Sequence, residues 1–92
     1  MIPYSMLKGP ARRRCDRLAR KVREHGVAYV YRESDFRDAE RLHNAGIIVA
    51  AIGKDRFWPG GTRPFRELAL FPDRASAEEC HPRTILPKSR RR

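Results

Sequence analysis

The sequence is poor in three things that would otherwise direct a functional reading. It has two cysteines, Cys15 and Cys80, too few and too far apart for a disulfide framework, so two reduced thiols are expected. No apolar run approaches the roughly 18 residues a membrane-spanning helix needs, and the opening MIPYSMLKGP lacks the charged-then-apolar order of a secretory signal. These two absences point to a cytoplasmic chain with no membrane partner. Acids are scarce as well: 11 Asp and Glu face 21 Lys and Arg, a formal charge of +10. A surplus of that size concerns partners more than fold, and it points to a polyanion.

Recognisable sites are equally sparse. Metal binding needs three or four ligands at fixed spacing. The sequence holds no Cys-x-x-Cys pair and no His-x-x-x-His pair, and Cys80 and His81 are adjacent, so no metal and no cofactor are expected. No Gly-rich loop is followed by Lys and Ser or Thr, which excludes the usual phosphate cradle. The carboxylates Glu33, Asp35, Asp38 and Glu40 sit among bases and read as cap and surface charges rather than as an acid and a base with separated pKa values.

What is present is arginine. Seventeen of the 21 bases are Arg, whose planar fork matches phosphate and guanine where Lys offers a point charge. The charge is polarised: residues 1–34 carry +6, residues 35–72 carry +1 and residues 73–92 carry +3. The near-neutral middle holds most of the long apolar runs and should supply the sheet and core.

The first element is a helix over 11–25, opened by Gly9 and Pro10 and closed by Gly26. At 100° per residue, Ala11, Cys15, Leu18, Ala19, Val22 and His25 fall within an arc of about 120°, and every charged residue falls outside it. Arg12, Arg13, Arg14, Arg17, Arg20, Lys21 and Arg23 share the outer arc with only Asp16 and Glu24. Like charges one turn apart, and arginines in the first turn, each cost a helix a few tenths of a kcal/mol, roughly, unless something anionic offsets them.

A buried strand follows at 27–32, then a second helix at 35–45 with Ser34 as its N-cap and Gly46 past its end. Phe36, Ala39, Leu42 and His43 form its apolar side, and Arg37, Asp38, Glu40, Arg41 and Asn44 are expected on a solvated one. IIVAAI at 47–52 reads as a central strand covered on both faces. A loop rich in Gly and Pro then leads to a third strand at 65–71, and residues 74–80 can make two helical turns. Within the loop, Arg56, Trp58 and Arg63 interleave basic and aromatic groups that suit unpaired bases or a minor groove.

These elements predict a small two-layer α+β domain, helix-strand-helix-strand-strand, with both helices on one face of a three-stranded sheet. Were the first two strands neighbours, the helix between them would make them a parallel pair. Residues 1–10 form an N-terminal arm, 11–80 the domain and 81–92 a basic tail that a partner would order. An alternative rests on AERLHNAGIIVAAIGKDRFWPGGTRPFRELALF, which resembles the last helix, strands and wing of a winged-helix protein. That resemblance implies a DNA-binding fold, but one helix stands where a helix-turn-helix needs two.

The expected function is a non-enzymatic nucleic-acid-binding accessory or regulatory protein, on DNA or RNA. It would act through Arg12, Arg13, Arg14, Arg17, Arg20 and Lys21 on the helix and Arg56, Trp58 and Arg63 in the loop. A second reading is a small inhibitor or adaptor of the kind phages and plasmids encode, docking on an acidic surface of a host protein. A third, remote one is a basic ribonuclease using His43 with Arg37 or Arg41.

Overall fold

The computed structural model describes residues 2–57 and 64–87. A 3-10 turn, Tyr4–Met6, precedes α1 (Gly9–His25), β1 (Ala28–Val30), α2 (Glu33–Asn44), β2 (Val49–Phe57), β3 (Pro64–Phe71) and α3 (Arg74–Cys80). The class is α+β, with helices packed on a three-stranded antiparallel sheet.

Helix boundaries follow the backbone chemistry of the flanking residues. Pro10 occupies the first turn of α1, where its missing N–H costs nothing. Gly26 ends the helix in the left-handed region (φ 77°) and donates its N–H to the Val22 carbonyl at 2.8 Å. In α2 the start falls two residues earlier than Ser34 as cap would place it: Arg32 holds the cap position, and it makes no side-chain capping bond. Its end is a Schellman arrangement, with Gly46 (φ 76°) bonded to the His43 carbonyl and Ile47 to that of Leu42, each at 3.0 Å. Asp73 caps α3 by accepting the Ser76 N–H at 2.8 Å.

The strand order is β1-β3-β2. β1 and β2 therefore run in the same direction without being neighbours, because β3 inserts between them and pairs antiparallel with each. The central strand is FRELALF rather than IIVAAI. β3 earns that place by being apolar on both sides: Leu68 and Leu70 enter one core while Ala69 and Phe71 enter the other. The hairpin is also longer than the Gly and Pro content suggests, since β2 continues through GKDRF. It does so across a register shift between Ile52 and Asp55. Gly53 sits at that shift with the buried Glu67 carboxylate lying against it; a Cβ there would come within 2.6 Å of Glu67 Oε2.

α1 and α2 cover one face of the sheet. Between them and it lie Leu7, Cys15, Ala19, Val22, Leu42, Ile48, Leu68 and Leu70, with small residues such as Ala39 and Ala50 permitting close approach. α3 lies on the opposite face, where Ala77 meets Ala51, Ala69 and Phe71. The segment after α3, assigned from sequence to a basic tail, joins the sheet. Ile85 bridges Ala51, Ile52 donates to the Thr84 carbonyl, and Leu86 donates to that of Ala50, both at 2.9 Å. His43 fastens the same corner: its Nδ1 accepts the Ala50 N–H at 3.0 Å and its Nε2 lies 2.8 Å from the Leu86 carbonyl. Only the neutral Nε2–H tautomer satisfies both bonds.

Candidate nucleic-acid interface

The basic arc of α1 divides into a tethered part and an open part. Arg12 is tethered: its guanidinium lies 4.2 Å over the Tyr4 ring, and its Nε is 3.4 Å from Asp16 Oδ1. The Tyr4 hydroxyl donates to the same Asp16 oxygen. That bond raises the Tyr4 pKa and, from the other side, holds the Asp16 carboxyl below its usual range, with Arg12 and Arg20 adding to the effect.

Arg14 is tethered on the opposite flank. Its Nε lies 3.3 Å from Asp38 Oδ2, and Arg41 Nη1 lies 3.1 Å from Asp38 Oδ1. The Asp38 side chain is only 4% exposed. This overturns the expectation that Asp38 belongs to a solvated face: α2 presents one stripe to the sheet and a second to α1, and Asp38 stands in the second. The Cys15 thiol, also buried, packs against this carboxylate. Burial first, and the negative charge of Asp38 second, push the thiol pKa up to about 11. Arg41 extends the network to the N-terminal arm, donating from Nε to the Ile2 carbonyl at 3.0 Å.

Arg13, Arg17, Arg20 and Lys21 form the open part. All four are exposed, and among the described residues none makes an ion pair or a hydrogen bond. Their spacing of four, three and one residues places them along one ridge about 12 Å long at 1.5 Å per residue. Arg20 also borders a shallow groove with Tyr4, Asp16, Arg23, Glu24 and Ile47. His25, placed on the apolar arc by periodicity, is exposed at the last turn of α1.

The loop residues of the sequence reading do not extend this description. Trp58 and Arg63 lie outside the described residues, as does the closing run of three arginines. Arg56 is in β2, in register with Phe65 of β3, and its side chain is outside the description.

The ribonuclease reading needs His43 to face a phosphodiester. His43 is buried with both ring nitrogens engaged, so it is not placed to exchange protons with a substrate. Among the described residues no group of three or more His, Cys, Asp or Glu side chains is placed to hold a metal ion. No described helix is long and apolar enough to cross a membrane.

Sequence reasoning missed Tyr29 and Tyr31, which it placed inside a buried strand. They are 48% and 43% exposed, whereas Ala28 and Val30 are buried. The signal was the two-residue period of AYVY, masked because both its faces are apolar in composition. The chain matches no protein-family model, no curated protein and no solved structure.

Proposed function

We propose that the chain is a nucleic-acid-binding accessory or regulatory protein of the cytoplasm, acting without chemistry of its own and gripping the phosphate backbone with the open ridge of α1. One observation carries this reading. The fold satisfies Arg12 and Arg14 internally, yet leaves Arg13, Arg17, Arg20 and Lys21 exposed along one side of α1 with no ion pair or hydrogen bond among the described residues. Mutual repulsion and the opposing helix dipole make such an arrangement mildly unfavourable by itself, and an anion laid along it reverses the sign. Arginine forks on a rod follow a phosphate backbone with little regard for sequence, so the ridge supplies affinity and the net charge of +10 supplies long-range attraction.

Fluorescence anisotropy with random duplex and single-stranded oligonucleotides tests it. Four phosphates neutralised by the ridge give a slope of log K against log salt of about −3.6 on duplex and about −2.8 on single strands. Raising salt from 50 to 200 mM then weakens binding by about 150-fold and about 50-fold respectively. Changing Arg13, Arg17 and Lys21 together to Glu is expected to abolish binding and leave the fold intact, since none of them touches the core. Negligible binding of the wild-type chain at low salt, or undiminished binding of the triple variant, refutes the reading; the first result leaves docking on an acidic protein surface as the role of the ridge.

A further inference from the structure

The groove beside α1 is only partly accounted for by the ridge. Its volume of about 440 Å³ lies within the roughly 300–1,000 Å³ that small-ligand sites occupy. Tyr4 of the N-terminal arm, Ala19 of α1 and Ile47 just before β2 give it an apolar lining. Asp16, Arg20, Arg23 and Glu24, on successive turns of α1, give it a charged one. Helical spacing permits two ion pairs here, Asp16 with Arg20 and Arg20 with Glu24, each four residues apart. Among the described residues neither closes. Asp16 is engaged by Arg12 and the Tyr4 hydroxyl instead, and Arg20, Arg23 and Glu24 stay exposed with no ion pair or hydrogen bond to a described residue.

We infer that this groove takes one unpaired nucleotide of the strand held on the ridge, an inference that rests on the nucleic-acid reading of α1. The phosphate lies on Arg20 and Arg23, and the base lies against the apolar lining with its Watson–Crick edge at Glu24. Continuity supports the source. Arg20 belongs to the ridge and to the groove at once, so a strand whose phosphates follow Arg13 and Arg17 reaches the groove without leaving the helix. Charge supports the phosphate. Arg20 and Arg23, three residues apart, are neighbours on the helix surface, and an anion between them offsets their repulsion. Asp16 does not cancel this, because Arg12 already neutralises it. Glu24 is the one carboxylate of the groove with no partner among the described residues, and an ionised carboxylate only accepts hydrogen bonds. Guanine sets two N–H donors side by side on its Watson–Crick edge and can bond both carboxylate oxygens. Thymine and uracil set one N–H between two carbonyl oxygens, which a carboxylate repels. In a duplex that edge is turned to the complementary base, so an unpaired guanine is the base that fits.

The test uses the full chain with fluorescein-labelled strands of about 12 nucleotides across a salt series: oligo(dT), alternating guanine and thymine, and a random duplex. A bidentate base contact in a groove open to water discriminates by about 5-fold, the low end for such contacts. Half the registers of the alternating strand place a guanine at Glu24, so it is expected to bind about 3-fold tighter than oligo(dT). Glu24→Ala is expected to erase that ratio while raising affinity for every strand alike, since all of them feel the lost negative charge. The ratio therefore separates a base contact from a change of overall charge. Arg23→Ala is expected to flatten the salt slope on the alternating strand by about 0.7, one phosphate contact, and to leave the duplex slope unchanged. Both residues are exposed and outside the core, so both variants are expected to fold. Titration of the wild-type chain with GMP is expected to shift the amide signals of residues 20–24 and of Ile47. An alternating strand bound no tighter than oligo(dT), a preference that survives Glu24→Ala, or an unchanged slope in Arg23→Ala overturns the groove assignment and leaves the ridge standing. Binding of GMP at the groove by a chain that prefers neither strand overturns the strand as the source and assigns the groove to a free nucleotide. Failure of the wild-type chain to bind any oligonucleotide removes the ridge reading and this inference with it.

Discussion

Replacing Asp38 by Ala tests whether the carboxylate between α1 and α2 is the electrostatic centre of the helical layer. Its 4% exposed side chain meets Arg41 at 3.1 Å, Arg14 at 3.3 Å and the buried Cys15 thiol. Breaking a buried pair by removing one partner costs about 3–5 kcal/mol when the charge left behind is fully enclosed. Arg41 is 15% exposed and keeps its bond to the Ile2 carbonyl, which brings its share down to about 2 kcal/mol. Arg14 is 53% exposed and regains water once released, so it adds at most about 0.5 kcal/mol.

The expected total is about 2–3 kcal/mol, or a fall in Tm of about 10–20 °C for a domain of this size. Urea unfolding of Asp38→Ala, Arg41→Met, Arg14→Met and the two double variants measures it, with the Asp38–Arg41 coupling larger than the Asp38–Arg14 coupling. Nucleic-acid affinity of folded Asp38→Ala is expected to hold or rise, because Arg14 joins the open ridge. A cost below about 0.5 kcal/mol, or an Arg14 variant as unstable as the Asp38 variant, refutes the assignment of the stabilising contact to the enclosed side of the carboxylate.

The remaining predictions concern the corners of the fold. His43→Leu strands the buried Ala50 N–H and the Leu86 carbonyl, and is expected to cost about 2–4 kcal/mol, with amide exchange of Ile52 and Leu86 accelerated beyond that of β3. The Asp73 carboxyl is held below its usual 3.8 by the Ser76 backbone N–H, so its contribution is present above that value and is lost as pH falls through the lower folded value. Asp73→Ala should therefore unfold at a lower temperature than wild type at pH 7, with the gap closing in acid; a gap independent of pH contradicts the cap. Cys80 is exposed, whereas Cys15 is buried with its thiol pKa pushed up to about 11. At pH 8 one thiol is expected to react with a disulfide reagent in the native chain and the second only after unfolding.

Much of the local structure is legible along the chain because its causes are local. The glycine stops of α1 and α2, the complete segregation of charge on α1 and the three apolar strand runs all follow from a residue and its neighbours within a turn or two. The identity of the open ridge is half legible: periodicity finds the basic arc, but only α2 and the N-terminal arm decide that Arg14 and Arg12 are bound internally while Arg13, Arg17, Arg20 and Lys21 are not.

Other features required the tertiary structure. Nothing in FRELALF states that it lies between two strands distant from each other in sequence, since strand order depends on which long-range pairing buries most apolar surface. Asp38 reads as solvated until α1 is laid beside it, and His43 is a plain helix residue until Ala50 and Leu86 arrive at its two nitrogens. The charge of +10 and its concentration on one helix were determined by the sequence itself, because composition and a period of 3.6 need no partner segment. Which guanidinium groups remain exposed, and that Tyr29 and Tyr31 are not buried with Ala28 and Val30, were decided by folding, because exposure belongs to the surroundings of a side chain and those surroundings come from distant parts of the chain.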